Sequence, residues 1–250
     1  IAPLFCDPAI AAIGAKAAKM MRHAKAQESR LEREIEKREA LMHDVEYDEQ
    51  LKLHPEPYFR QNLLLSKDLS IFYGDRCVAN GISLTLNRGD RIALVGRNGC
   101  GKSSLLKLLI GQPIAHTGTL EIGSRLTVSY VPQDMSFLSG SADDFAAESE
   151  IDITLFKTIL RKLDFKRTQF TKDMSEFSMG QKKKVLLARS LCQRANLYIW
   201  DEPLNYIDVI SRLQIETLIL EYKPTMLFVE HDEAFVNDIA TKVCRISLNQ

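Results

Sequence analysis

Apolar positions follow two different rhythms along this chain. Between residues 10 and 53 they recur at alternating spacings of four and three, through Ile10, Gly14, Ala17, Met21, Ala24, Glu28, Leu31, Ile35, Arg38, Met42 and Val45. That spacing predicts one long helix with a coiled-coil seam, imperfect at Glu28 and Arg38. His54-Pro55-Glu56-Pro57 ends it, since each proline disfavours helix in the residue before it. From there on, short apolar runs alternate with helical periods. Strands are predicted at 62–73 and 78–86, joined at Tyr73-Gly74-Asp75, and at 92–95, 119–122, 126–131, 196–200, 225–229 and 242–248. Helices are predicted from Lys102 to Gly111, at 153–163, from Lys182 to about Gln193, at 209–222 and at 233–240, with a loop over 135–150. Strands alternating with helices make an α/β domain whose mostly parallel sheet binds its ligand at the strands' carboxyl ends. The predicted division is a helical arm over 1–57 and a globular domain over 58–250.

A seam needs a partner helix, and the rest of the chain supplies none. Either two copies pair through it, or the partner precedes Ile1; a chain opening on Ile rather than Met is expected to be a piece of a longer protein. Charge along the arm is lopsided: Lys16, Lys19, Arg22, Lys25 and Arg30 dominate its first half, and Glu and Asp its second. A basic tip suits RNA phosphates, and an ordinary solvated helix face accounts for the same composition.

The 250 residues carry a formal net charge of zero, so bulk electrostatics select no partner. Five scattered cysteines with no Cys-x-x-Cys pair speak against a disulfide framework or a zinc site and suit a reducing cytoplasm. No apolar run is long enough to span a bilayer, so no stable membrane insertion is expected.

Chemistry concentrates where strands end. Ile92–Val95 runs into Gly96-Arg97-Asn98-Gly99-Cys100-Gly101-Lys102-Ser103-Ser104 and then an apolar-periodic helix. This is G-x-x-x-x-G-K-[ST] in a strand–loop–helix setting. Glycines let successive amides of Gly96, Asn98, Gly99, Cys100 and Gly101 point inward at phosphate oxygens. The helix start, with Ser104 in its first turn, adds a positive dipole end. Lys102 reaches the β- and γ-phosphates, and Ser103 offers a hydroxyl to Mg2+. Strand 196–200 delivers Asp201 and Glu202, one carboxylate for a metal shell and one for water. Tyr73 suits either stacking on adenine or a place in the core. The thiol of Cys100, at a helix end, is expected to be activated and alkylatable without nucleotide.

Taken in order, Tyr73, Gly96–Ser103, Gln133, Phe177-Ser178-Met179-Gly180-Gln181, Tyr198–Glu202, Asp208 and His231 resemble an ATP-binding-cassette nucleotide-binding domain throughout 62–248. The Ser-x-Gly-Gln signature just upstream of the acidic strand is the specific part of this likeness. The resemblance implies a P-loop cassette with a parallel core, antiparallel entry strands and a small helical subdomain. It implies that ATP binds with Mg2+: Tyr73 on adenine, Lys102 and the loop on phosphates, Ser103 and Gln133 on the metal, and Asp201 in its outer shell. Glu202 would polarise the attacking water, with His231 and Gln133 completing the catalytic geometry. Asp208 follows in the same motif order and is expected at the nucleotide. Ser178, Gly180 and Gln181 would serve the nucleotide of a second cassette in a head-to-tail pair, so one cassette alone would hydrolyse ATP poorly. Met179 and Phe177 depart from the usual glycine and leucine; Met179 must find room for its side chain.

The arm is similar to the second half of the linker hairpin in ABC-F proteins, where two cassettes share one chain. Gly14–Arg22 looks like the start of the returning helix, and Trp200–Asp208 is similar to the branch acting against lincosamides, streptogramin A and pleuromutilins. The implied partners are the ribosome, its rRNA and tRNA. Housekeeping translation factors and transporter ATPase subunits are the alternatives.

Overall fold

In the computed structural model, residues 51–246 are described; the predicted arm helix up to residue 50, and positions 247–248 of the last predicted strand, lie outside them. Five parallel strands form the central sheet: β4 (Arg91–Val95), β6 (Val128–Val131), β8 (Leu197–Asp201), β9 (Met226–Val229) and β10 (Lys242–Arg245), in the order β10-β4-β9-β8-β6. A second, antiparallel sheet is built from β2 (Asn62–Tyr73), β3 (Arg76–Asn87) and β5 (Ala115–Ile122), in the order β3-β2-β5. The hairpin turn falls at Gly74, whose φ of 58° suits glycine.

Strict alternation in the parallel strands splits the core in two. Ile92, Leu94, Leu197, Ile199, Leu227 and Val229 face α1 (Lys102–Leu109) and the antiparallel sheet. Ala93, Tyr198, Trp200, Met226 and Phe228 face the opposite core. That side is built by α2 (Ala142–Glu148), α3 (Ile153–Lys162), α4 (Met179–Cys192), α5 (Val209–Tyr222) and α6 (Glu233–Ile239). Burial on both faces is why these strands read as continuous apolar runs.

Three local readings change. Residues 135–150, expected as a loop, contain α2: Ser141 caps it by accepting from the Asp144 amide, and Ala142 and Ala146 are buried beneath it. Helix α4 starts at Met179 rather than Lys182, because Ser178 and Gln181 form a reciprocal capping box. Residues 51–57 belong with the globular body. Leu53 is buried, and β1 (His54–Pro55) pairs in parallel with β7 (Arg194–Ala195), so the packed domain begins several residues before the expected 58.

No helix among the described residues is long and apolar enough to cross a membrane.

Candidate active site

The order of the parallel strands brings the chemistry together. Their carboxyl ends lie on one edge, and β4, β9, β8 and β6 are consecutive neighbours there. They deliver in turn the Gly96–Ser103 loop, Glu230 and His231, Asp201 and Glu202, and Gln133. Leu94, Val229 and Asp201 are in register across the sheet, and the Glu202 amide donates to the Val229 carbonyl at 3.0 Å.

Glu202 is the hub. Its Oε2 accepts from Gln133 Nε2 at 2.8 Å and from Asn205 Nδ2 at 2.5 Å, and its Oε1 lies 3.4 Å from His231 Nε2. Glu202 itself has φ of 49°, a left-handed conformation that a non-glycine residue holds only when its surroundings impose it. Three elements thus converge on one carboxylate, the arrangement a general base needs to keep one orientation. Gln133 is bound through its amide nitrogen, which leaves its amide oxygen as the group suited to a cation.

The phosphate loop is shaped by contact as well as by backbone freedom. A Cβ on Gly101, whose φ is 88°, would stand 2.6 Å from Ala79 Cβ and 2.7 Å from the Val78 carbonyl oxygen. Only glycine fits where the loop meets β3. Lys102 is buried, and its ammonium donates to the carbonyls of Gly96 at 2.8 Å and Arg97 at 3.1 Å. It therefore spans the loop at the start of α1, where the helix dipole also favours anions.

Asp201 is 1% exposed, and burial pushes its carboxyl above the ordinary aspartate range, opposed by a hydrogen bond with the Ser103 side chain. Its Oδ1 is buried with no hydrogen-bond partner. An orphaned carboxylate oxygen beside a loop hydroxyl fits a divalent cation. Among the described residues no three His, Cys, Asp or Glu side chains cluster to hold a metal unaided. This donor set suits Mg2+, which keeps waters and is held by one or two carboxylates together with phosphate oxygens.

Other expected site residues have different surroundings. Tyr73 is 48% exposed beside the hairpin turn, which removes the core reading and leaves a free ring face. Cys100 is 2% exposed, and a Cβ on Gly96 would meet its sulfur at 2.7 Å, so the thiol packs under the loop and the expected alkylation is shielded by burial. Its amide donates to the Arg97 carbonyl at 3.3 Å. Ser178 and Gln181 cap their own helix, with Ser178 Oγ accepting from the Gln181 amide and Gln181 Oε1 from the Ser178 amide. Met179 finds its room outward, at 47% exposure, while Phe177 is buried. Asp208 caps α5 through the Ser211 amide and hydroxyl and pairs with Lys184 at 2.6 Å. Partial burial acts to raise the Asp208 carboxyl, yet the bonds from Lys184 and Ser211 hold it below its ordinary range. Within this chain its carboxylate is engaged in structure.

Three residues given no role by the sequence reading support the hub. Asn205 binds Glu202 directly. Glu230 accepts from the His231 amide at 3.0 Å and from the Leu204 amide at 3.3 Å, tying the two acidic strand ends together. Lys183, 1% exposed on α4, donates to the carbonyls of Pro132 at 3.1 Å and Asp201 at 3.3 Å. Asn205 and Glu230 were legible as polar residues flanking the strand-end motifs; Lys183 sits in a run of three lysines that reads as a solvated face.

Helix α4 and the loop after Glu202 touch closely. A Cβ on Gly180 would lie 2.6 Å from the Tyr206 carbonyl oxygen, and Tyr206 has φ of 66°. Gly180→Ala is therefore expected to shift one of these backbones and lower ATP turnover of the full-length parent protein roughly 10- to 100-fold, with ATP affinity at the phosphate loop nearly unchanged. Steady-state hydrolysis and equilibrium nucleotide binding check this; loss of affinity with unchanged turnover would contradict it.

Comparison with known proteins identifies a matching family and several relatives. The profile of the ABC transporter family matches residues 79–205. The chain is similar to the ATP-binding protein YdiF of Bacillus subtilis (strain 168), 36% identical over 193 residues, covering 74% of this chain and 30% of YdiF. The ribosome protection protein VmlR of the same organism is 27% identical over 228 residues, 90% of this chain and 42% of VmlR. A solved ATP-binding subunit of an ABC transporter aligns with a TM-score of 0.62 at 22% identity, over 74% of this chain and 88% of that one, which shows the fold alone. The chain spans less than half the length of each of these curated relatives.

Proposed function

The chain belongs to the ATP-binding-cassette family, and from that premise we propose that it is the ATP-hydrolysing cassette of an ABC-F-like protein that acts on the ribosome. The observation that carries hydrolysis is the convergence of Gln133, Asn205 and His231 on the Glu202 carboxylate. In the proposed reaction the amides of the Gly96–Ser103 loop and Lys102 hold the phosphates, and Tyr73 offers its exposed ring to adenine. Glu202 orients and deprotonates a water that attacks the γ-phosphorus, yielding ADP and phosphate. His231, held at its amide by Glu230 and 3.4 Å from the Glu202 carboxylate, would contact the γ-phosphate. Ser103, Asp201 and Gln133 are the residues that would hold a divalent cation, which would supply polarisation of the phosphate oxygens. Ser178, Gly180 and Gln181 present a helix start to the nucleotide of a second cassette, so closure of the pair completes both sites.

The ribosomal reading draws support from the arm. Residues 51–250 make up four fifths of the chain, so a match over 90% of it runs into the arm as well, and that match is to a protein named for ribosome protection. On this reading ATP closes the cassettes on the ribosome, the arm reaches toward rRNA and tRNA, and hydrolysis at Glu202 releases the factor. Antibiotic protection is the form of this activity that we propose.

A cell-free translation assay tests it. The full-length parent protein with ATP is expected to restore synthesis inhibited by a lincosamide, streptogramin A or pleuromutilin. Failure against all three, with ribosome binding intact, would point to a housekeeping translation factor instead.

A further inference from the structure

A basic loop on the helical side of the domain takes no part in the site described. From Arg161 to Lys172 the chain carries five cations (Arg161, Lys162, Lys166, Arg167, Lys172) against one carboxylate, Asp164, in a protein whose overall charge is zero. Arg161, Lys166, Arg167 and Lys172 are exposed. None of these four makes an ion pair among the described residues. The next acid, Asp173, accepts from the backbone amides of Gly140 and Ser175, and these bonds, those with Ser175 foremost, hold its carboxyl below the ordinary range.

The loop is preformed. Phe165 is 4% exposed, with its ring centroid 5.3 Å from Phe177 and 5.4 Å from Phe170. Its amide donates to the Leu160 carbonyl. A 3-10 turn over Arg167–Gln169 closes through Gln169, whose amide donates to the Lys166 carbonyl and whose side chain accepts from the Lys166 amide. Cations on such a frame lose little entropy when they meet a ligand. The exposed neighbours of the cations are Asp164, Thr168 and Thr171; Phe170 is half-buried, and Leu163 and Phe165 point into the core. A protein interface has an apolar centre, which this surface lacks. Positive charges interleaved with hydroxyls, without exposed apolar side chains, are what contacts to phosphate and sugar use.

We propose that the Arg161–Lys172 loop is an RNA-backbone contact surface, distinct from the arm and reading charge rather than base sequence. The source of the RNA, the ribosome, rests on the function proposed above; the chemistry of the surface does not. Because Phe165 touches Phe177, the residue before Ser178, RNA held here sits one side-chain contact from the start of α4.

The test compares the full-length parent protein with a variant carrying Arg161→Gln, Lys166→Gln, Arg167→Gln and Lys172→Gln. Binding to a fluorescent RNA hairpin and to 70S ribosomes is measured between about 50 and about 200 mM KCl. Loss of four phosphate contacts is expected to flatten the slope of log affinity against log salt by roughly 3, and to weaken hairpin binding at low salt by at least about tenfold. RNA-free ATP turnover should be unchanged, which reports an intact fold. If the fourfold variant does not fold, the Arg161/Lys166 and Arg167/Lys172 pairs are each expected to give about half the slope change. Unchanged slope and affinity for the hairpin would overturn the surface, whatever the ribosome result. Unchanged hairpin binding with loss of binding to polyglutamate would overturn it in favour of an acidic protein. Hairpin binding through the loop without any ribosome binding would keep the surface and refute the ribosomal reading.

Discussion

Replacing Glu202 with Gln is expected to lower ATP turnover of the full-length parent protein by about 10²- to 10⁴-fold while ATP affinity stays nearly constant. That range is the typical contribution of a positioned general base. The substituted amide would keep the size of the side chain and an acceptor oxygen for Gln133 and Asn205, so the network at 2.8 and 2.5 Å can persist in outline. What disappears is the carboxylate that takes the proton from water. The phosphates are held elsewhere, by the loop amides and by Lys102, so binding is spared. Single-turnover hydrolysis beside equilibrium binding separates the two quantities. Turnover within a few-fold of the unsubstituted protein would remove Glu202 from the role of base.

The second large effect is expected at Lys183. Lys183→Met keeps length and apolar volume but removes the ammonium that bridges the Pro132 and Asp201 carbonyls at the ends of two neighbouring strands. The Lys183 ammonium is buried, which lowers its affinity for a proton, and the acids Asp201, Glu202 and Glu230 counteract that. Removing it leaves two carbonyls short of a donor and leaves Lys102 as the cation acting on the buried Asp201 carboxylate. Losing hydrogen bonds from a buried charged donor costs about 1.5–3 kcal/mol. For a domain of this size that lowers the melting transition by roughly 3–12 °C. Turnover should fall with it, because Pro132 precedes Gln133 and Asp201 precedes Glu202, while Lys102 still holds nucleotide. Calorimetry of the parent protein, with ATP binding measured below the transition, checks both parts. An unchanged transition with unchanged turnover would mean that Lys183 ties nothing together.

Legibility of this molecule in its sequence tracked how local each cause was. The phosphate loop, the acidic strand end and His231 announce themselves because each follows an apolar strand, and parallel order places those ends on one edge. Helix α5 was legible residue for residue, since Asp208 caps it and no glycine or proline interrupts 209–222. Helix α2 was hidden by Ser, Asp and Glu around a short apolar face, although Ser141 and Asp144 form its cap. Strand β5 is nearly all exposed, so no alternation betrayed the part before Thr119; only pairing with β2 defines it. Contacts between distant segments were illegible altogether. Nothing in the spacing of Gly180 and Tyr206, or of Lys183 and Pro132, says that they meet. Cys100 taught the same lesson in reverse: its position at a helix end predicts a reactive thiol, and packing under the loop removes it from solvent.

The most direct test of the proposed function is sedimentation of ribosomes with the full-length parent protein carrying Glu202→Gln and its counterpart in the other cassette. The proposal predicts retention in the ribosome pellet with ATP and little without it, since closure needs nucleotide and release needs hydrolysis. Absence of ATP-dependent retention, with a membrane subunit co-purifying instead, would contradict it and assign the cassette to a transporter.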